Sequence, residues 1–302
     1  MTDRLHTMSM LVTVVDEGSI SAGARALGMP VATVSRRISD LEKQLHAQLL
    51  TRSRSGLALT DTGTAYLSAC RRILEQVNEA EQIAAGEFDT PRGTLHLTAP
   101  IVFGQIHVLP VVIAFLRTYP EVNIRFIQTD HPLHFFEDRI DLAVRIGHLS
   151  DSSLRARKIG NLRSVVCASP GYLQRHGTPR QPGDLDNHNC INFDRRTAIN
   201  SWRFRSNGAD HTVAICPSLQ VNTADAATSA AREGLGLTQL LAYQVSKSVK
   251  DGTLVPVLTE FEREPVPVHL VYESQALEPQ KLRAFLDFAA PRLQRSMAEA
   301  AF

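Results

Sequence analysis

SAGARALG (21–28), ATVSRRISDLEKQL (32–45) and LLTRSRSGLALTDTG (49–63) are three consecutive stretches whose spacing decides how this chain begins. In the middle stretch Val34, Ile38, Leu41 and Leu45 recur at steps of four, three and four, the period of one helix face. That helix starts near Pro30, a residue suited to a first turn. Ahead of it, Ser19 can cap a short helix, Ile20 to Leu27, that Gly28 ends. Earlier still, Leu5, Met8, Leu11, Val12 and Val15 predict a helix over about Arg4 to Glu17. A short helix, a glycine turn and a longer helix in this order are the sequence form of a helix-turn-helix.

The side of the long helix opposite its apolar stripe carries hydroxyls and arginines. Thr33, Arg36, Arg37 and Asp40 fall there and Ser35 and Ser39 flank that face, after Pro30, Val31 and Ala32 at the helix start, and Ser21 stands at the start of the preceding helix. Arginine forks and short hydroxyls bond base edges and phosphates in a major groove. On charge alone, a helical hairpin with a solvated arginine face explains the same residues. Between Arg25 and Arg54 six basic residues stand against Asp40 and Glu42. The stretch 49–60 adds two short extended pieces about Ser55–Gly56, a hairpin wing from which Arg52 and Arg54 project towards a backbone. Ser21, Pro30, Val31, Ala32, Thr33, Ser35, Arg36, Arg37, Arg52 and Arg54 are therefore the candidate contacts to double-stranded DNA.

The order of these motifs resembles the LysR-type transcriptional regulators. Ser21, Ala22, Ala24, Leu27, Val34, Ser35, Arg36, Ile38, Leu41, Glu42, Leu45, Leu49, Arg52, Leu59, Thr60 and Gly63 carry the likeness. The chain departs from the family at His46, where glycine is usual, and at Leu50, where phenylalanine is usual. Met29, Val31 and Thr33 also make the helix start less serine-rich than is common. The resemblance implies a winged helix-turn-helix, a linker helix used for dimerisation, and a C-terminal effector domain.

After the wing, Thr60 or Asp61 can cap a long helix. Tyr66, Cys70, Ile73, Val77 and Ala80 form a heptad seam along it, as in a two-helix coiled coil. The expected assembly is a dimer or a dimer of dimers, bound to an interrupted inverted repeat. A polar hinge, EFDTPRG (87–93), follows.

From Thr94 strands alternate with helices, the pattern of an α/β fold with open sheets. Predicted strands include 95–99, 122–126, 141–146, 163–168, 202–205, 213–216, 219–222 and 266–272. Predicted helices cover 104–119, 223–233 and 279–293. Open sheets bind ligands at the carboxyl ends of their strands. Thr98, Ala99, Pro100, Ile101, Phe103, Thr129, Arg145, Ser169, Phe193, Asn222 and Thr223 are the candidates for an effector site. Arg145 lies in an otherwise apolar strand and needs an anion or an internal partner. Pro100, Ile101, Phe103 and Phe193 would supply apolar walls, so the expected effector is a small anionic or aromatic metabolite. TAPIVFG (98–104), DLAVRIG (141–147), ASPGYL (168–173), NCINF (189–193), WRF (202–204) and AAREGLGLTQL (230–240) match the family's effector domain. The resemblance implies the fold of type 2 periplasmic binding proteins, two α/β subdomains about a cleft. It divides the chain into 1–60, a linker at 61–92, and 93–302. Subdomain I would hold 93–163 and 267–302, and subdomain II 164–266, with crossings near Arg163 and Pro265–Pro267.

The 302 residues suit two domains, with 43% hydrophobic residues for their cores. The longest apolar run, near 108–116, is interrupted by Pro110, so no membrane span is expected. The first residues have no export-signal pattern, and a cytoplasmic protein is expected. An enzyme is not expected. His188 near Cys190 lacks an orienting third group, Gly234 and Gly236 lack the rest of a dinucleotide fingerprint, and His131 with His134 lack further ligands. No cofactor or metal is expected. RNA polymerase is a further expected partner. The alternative reading is a redox-sensing regulator using Cys167, Cys190 and Cys216, which all fall in subdomain II.

Overall fold

The computed structural model describes residues 2–53, 56–84, 91–131, 133, 135, 138, 140–149, 154–193, 200–273 and 279–300. The chain forms two units, Met1–Thr90 and Pro91–Phe302.

The first unit contains α1 (Thr2–Asp16), α2 (Ile20–Ala26), α3 (Val31–Leu45), β1 (Leu50–Ser53), β2 (Gly56–Leu59) and α4 (Asp61–Ala84). Ser19 caps α2 by accepting from the Ala22 amide at 3.1 Å, and Gly28 closes the turn at φ +62°. Val34, Ile38 and Leu41 bury the inner face of α3 against Met10, Leu11, Val14, Ala24, Leu49 and Leu67. Met10 and Val14 lie off the stripe predicted for α1. That helix packs against α2, α3 and α4 at once and so buries a broader face than one stripe. At α2 the packing leaves no room for a side chain: a Cβ on Gly23 would lie 2.7 Å from Val14.

The wing forms as expected, β1 and β2 pairing antiparallel with Arg52 opposite Leu57. Arg54 and the side chain of Arg52 lie outside the described residues. Thr60 caps α4, its Oγ1 accepting from the Gly63 amide at 2.8 Å. The heptad seam divides. Tyr66 and Cys70 do not lie on an open seam: Tyr66 packs on the core of its own unit and Cys70 is fully buried. The cause is α1, which covers the first half of α4; Arg71 of α4 pairs with Asp16 of α1. Beyond that cover, Ile73 is 37% exposed and Ala80 is exposed.

The second unit holds two five-stranded sheets. The first has the order β4 (Val122–Gln128), β3 (Gly93–Ala99), β5 (Leu142–Ile146), β14 (Val266–Glu273), β6 (Leu154–Leu162). Strands β4, β3 and β5 are parallel, and β14 runs antiparallel between β5 and β6. Helices α5 (Ile101–Thr118) and α9 (Gln280–Ala300) share one core with Leu95, Leu97, Leu142, Val144, Val268 and Leu270.

Pro110 sits within α5 without breaking it, as the helix predicted over 104–119 requires. A π turn at Gly104–Val108 widens the helix just ahead of it, where the proline ring would otherwise meet the carbonyl four residues back. The helix has a mean hydropathy of 1.7 over 18 residues, enough by length and composition for a bilayer span. Here Phe103, Val108, Val111, Val112 and Phe115 are buried on the sheet.

The second sheet has the order β11 (Pro217–Val221), β8 (Cys190–Phe193), β12 (Leu237–Leu241), β7 (Ser164–Ala168), β13 (Val255–Val257). One face packs on α7 (Ala224–Arg232) and on α8 (Ala242–Lys250). Trp202 and Phe204 cover the other, from the hairpin β9 (Ser201–Ser206) and β10 (Ala209–Ala214). After β7, α6 (Pro170–His176) follows Ser169 at the far end of that strand. Among the described residues two connections join the sheets: Arg163, between β6 and β7, and 258–265, between β13 and β14. Arg163 meets Glu262 of the other connection in a two-pronged ion pair, at 2.8 and 2.9 Å.

Candidate nucleic-acid and effector sites

Burial divides α3 cleanly. While Val34, Ile38 and Leu41 face the core, Pro30, Val31, Ala32 and Arg36 are exposed, and Thr33, Ser35 and Arg37 are half-buried. Ser21 is exposed on α2. No side chain caps the start of α3 at Pro30. The helix ends at His46, which takes the left-handed conformation at φ 50°. This is where the family usually places glycine, so the sequence departure changes the residue without changing the turn.

The position of the wing has a cause that the sequence reading missed. One carboxylate oxygen of Glu42, on α3, accepts from the amides of Leu49 and Leu50, at 2.7 and 3.0 Å. The strand that begins the wing is thus bonded directly to the helix beside it. Spacing alone does not show which exposed glutamate on a helix will do this.

In the second unit, parallel pairing brings several candidates together. Thr98 and Ala99 end β3, Pro100 and Ile101 start α5, and Thr129 follows β4, its amide bonded to the Ala99 carbonyl at 3.0 Å. Thr98 and Ala99 are buried, and Phe103 is fully buried in the core below. Arg145 stands on β5, next to this group, but it has an internal partner: its guanidinium donates to the Leu133 carbonyl at 2.7 Å. In the second sheet β11 and β8 are parallel, with Val221 opposite Phe193, so Asn222 and Thr223 share an end with Phe193. Thr223 caps α7, accepting from Ala226 at 3.3 Å. Val102 of α5 and Phe193 pack against one shared apolar cluster, so this end faces the first sheet.

Ser169 does not belong with these residues. Strand β7 is antiparallel to β12, with Thr238 opposite Cys167 and Leu241 opposite Ser164, whereas β12 is parallel to β8. Its carboxyl end therefore points away from Phe193. Ser169 there caps α6, accepting from Tyr172 at 3.4 Å. The carboxyl end of β7, where Ser169 was expected to join the site, lies at the opposite edge because the strand is antiparallel to its neighbour. At this far end His188 is bonded to the Tyr172 hydroxyl, at 3.2 Å. Burial pushes the Cys190 thiol up to about 12. Among the described residues no three His, Cys, Asp or Glu side chains group to hold a metal ion.

A cavity of about 390 Å³ opens between the second sheet and its hairpin, lined by Asn192, Phe193, Ser201, Trp202, Arg203, Thr212 and Gln239. Only Phe193 was anticipated. A signal existed: Asn192 and Gln239 are amides in apolar strands, CINF and LTQLL, as Arg145 is a charge in another. Asn192 is buried, and Gln239 donates to the Arg203 carbonyl at 3.1 Å, fixing the hairpin over the sheet.

Comparison with known proteins agrees with this geometry. Residues 5–64 match the family model described as bacterial regulatory helix-turn-helix protein, lysR family. Residues 88–294 match the LysR substrate binding domain. The chain is 32% identical over 287 residues to a probable HTH-type transcriptional regulator LtrA of Klebsiella pneumoniae, covering 94% of this chain and 93% of that one. It is 31% identical to the HTH-type transcriptional regulator CrgA of Neisseria meningitidis, covering 96% and 97%. The CrgA structure superposes with a TM-score of 0.62 at 30% identity, over 95% of this chain and 98% of that one. These relatives are transcriptional regulators, not enzymes. With a DNA-binding unit and an effector-binding α/β unit matched along nearly its whole length, the chain belongs to the LysR family of DNA-binding transcriptional regulators.

Proposed function

We propose that α3 lies in the major groove of an operator, reading it through Val31, Ala32, Thr33, Ser35 and Arg36, while Arg52 and Arg54 of the wing follow the phosphates. The division of α3 carries this reading: its apolar side is spent on the core, and its head and arginine side are open to a partner. The operator is an interrupted inverted repeat bound by a dimer or a dimer of dimers. The outer half of the α4 seam, with Ile73 and Ala80 exposed and Val77 half-buried, supplies the pairing surface. The protein works in the cytoplasm, with RNA polymerase as a promoter partner. The boundaries 1–60, 61–92 and 93–302 divide the labour. Binding of the full chain to operator duplexes across a salt series tests the groove assignment. Arg36→Ala should weaken operator binding, by about 1–3 kcal/mol if it meets a base edge. Wild-type affinity in this variant, with the fold intact, would overturn the assignment.

The regulating signal, on this reading, is a small molecule bound where Thr98, Pro100, Thr129, Asn222, Thr223 and Phe193 face each other. The cavity beside Phe193 extends that region. Arg145 serves the 133 loop, so an effector carboxylate would look instead to Arg203 at the cavity wall, with Phe193 and Trp202 as the aromatic surface. Thermal-shift screening of the full chain against a metabolite panel, repeated on Arg203→Ala and Thr98→Val, tests this. A hit indifferent to both substitutions would refute it. The small-molecule reading is preferred to a redox one because two of its three cysteines, Cys167 and Cys190, are buried thiols pushed up to about 12, which leaves the exposed Cys216 without a reactive partner among them.

A further inference from the structure

We propose that Val31 reads the 5-methyl group of a thymine in each operator half-site; this rests on the placement of α3 in the major groove. Val31 is the first residue of α3 and is 46% exposed. It stands between Pro30 and Ala32, both also exposed. None of these three side chains can donate or accept a hydrogen bond. The head of the helix is the part that goes deepest into the groove. There it presents a continuous apolar tip, and the polar Ser35 and Arg36 stand one turn behind it.

Chemistry then selects the base. Guanine, cytosine and adenine line the major groove with acceptors or amino donors, and a valine pressed on them strips their water without replacing it. Thymine carries an apolar group at its groove edge, the C5 methyl, and branched aliphatic carbon is its natural contact. Val31 therefore favours thymine by attraction and penalises the other edges by desolvation. Arg36, one turn beyond Ala32, can take a guanine edge or a phosphate. The two together read a short step by one apolar and one charged contact.

The test begins with an operator enriched by the full-length chain from a random-core duplex library. Each recurring thymine is then replaced singly by deoxyuridine, which removes the methyl and leaves pairing and the O4 acceptor unchanged. Dissociation constants are compared at one salt concentration. Losing one buried methyl should weaken wild-type binding about fourfold at one position in each half-site, and about fifteenfold when both are replaced. The Val31→Ala chain should bind the thymine duplex more weakly by a similar factor and should be indifferent to uracil at that position, the pattern of a closed double-mutant cycle. Val31 is exposed, so its thermal unfolding should match wild type. A selected operator without a recurring thymine, uracil substitutions that are all silent, or a Val31→Ala chain that responds to uracil as wild type does would each overturn the proposal. Arg36→Ala separates the two levels. If it binds weakly while the uracil series is silent, the groove placement stands and the Val31 contact is wrong. If Arg36→Ala binds like wild type, both fall.

Discussion

Replacing Glu42 by alanine tests the physical link between the reading helix and the wing. Its carboxylate receives two backbone amides, Leu49 and Leu50, at 2.7 and 3.0 Å. Both residues are buried, Leu49 fully, so water cannot easily take over either amide. A hydrogen bond to a charged group contributes about 1.5–3 kcal/mol when its partner is removed from a buried site. Glu42 itself is only half-buried, so the pair together should contribute about 2–4 kcal/mol rather than the full sum. That is a local figure, and a local measurement should read it. In native-state hydrogen exchange of the full chain, the Leu49 and Leu50 amides of Glu42→Ala should exchange roughly 30- to 700-fold faster than in wild type. The α3 amides around Ile38 should change far less. Glu42→Gln keeps one acceptor oxygen without the charge and should fall between. Unchanged exchange at Leu49 and Leu50 would show that the strand is held by the β1–β2 pairing and its apolar contacts alone.

His46→Gly should stabilise the first unit by about 0.5–1 kcal/mol: it relieves left-handed strain at φ 50° and loses part of the gain to a more flexible unfolded chain. A thermal transition that does not rise would refute this. His107 is buried between Phe103 and Tyr243, with its Nδ1 2.7 Å from the Ser296 hydroxyl, and burial lowers its pKa to about 4. The unfolded chain takes up this proton near pH 6.5 and the folded chain only near 4. Stability should therefore fall, as pH falls through that window, by up to about 3 kcal/mol. His107→Leu should flatten the slope of urea midpoint against pH there; an equal slope would assign the acid lability elsewhere. Native thiol titration at pH 8 should find one fast group, Cys216, which is exposed, and four after denaturation. A second fast native thiol would contradict the burial of Cys70, Cys167 and Cys190.

The first sixty residues were the most legible part of the chain because each element there is written locally. Ser19, Gly28 and the spacing from Val34 to Leu41 specify cap, turn and buried face within a few residues. What failed depended on partners distant in sequence. The seam on α4 is periodic throughout, and only the fold shows that α1 covers Cys70 and leaves Ile73 open. Strand β6, LRARKIGNL, was not anticipated, since an edge strand carries exposed charges and its inner residues are few. Ser169 was misplaced because strand direction is a property of the sheet. Arg145 was rightly singled out as needing a partner, and a backbone carbonyl in the adjacent loop is one.

The ion pair between Arg163 and Glu262 has a mechanical consequence. Two bodies joined by two independent flexible straps can slide, twist and bend. When the straps are buckled to each other, sliding of one against the other is the costliest of these movements. Arg163 is the whole of one strap, and Glu262 sits in the middle of the other. The buckle leaves bending about a line through the pair as the softest remaining motion. Bending of one sheet against the other then becomes rotation about a nearly fixed axle, and a small movement at the cavity edge is delivered as a defined angle.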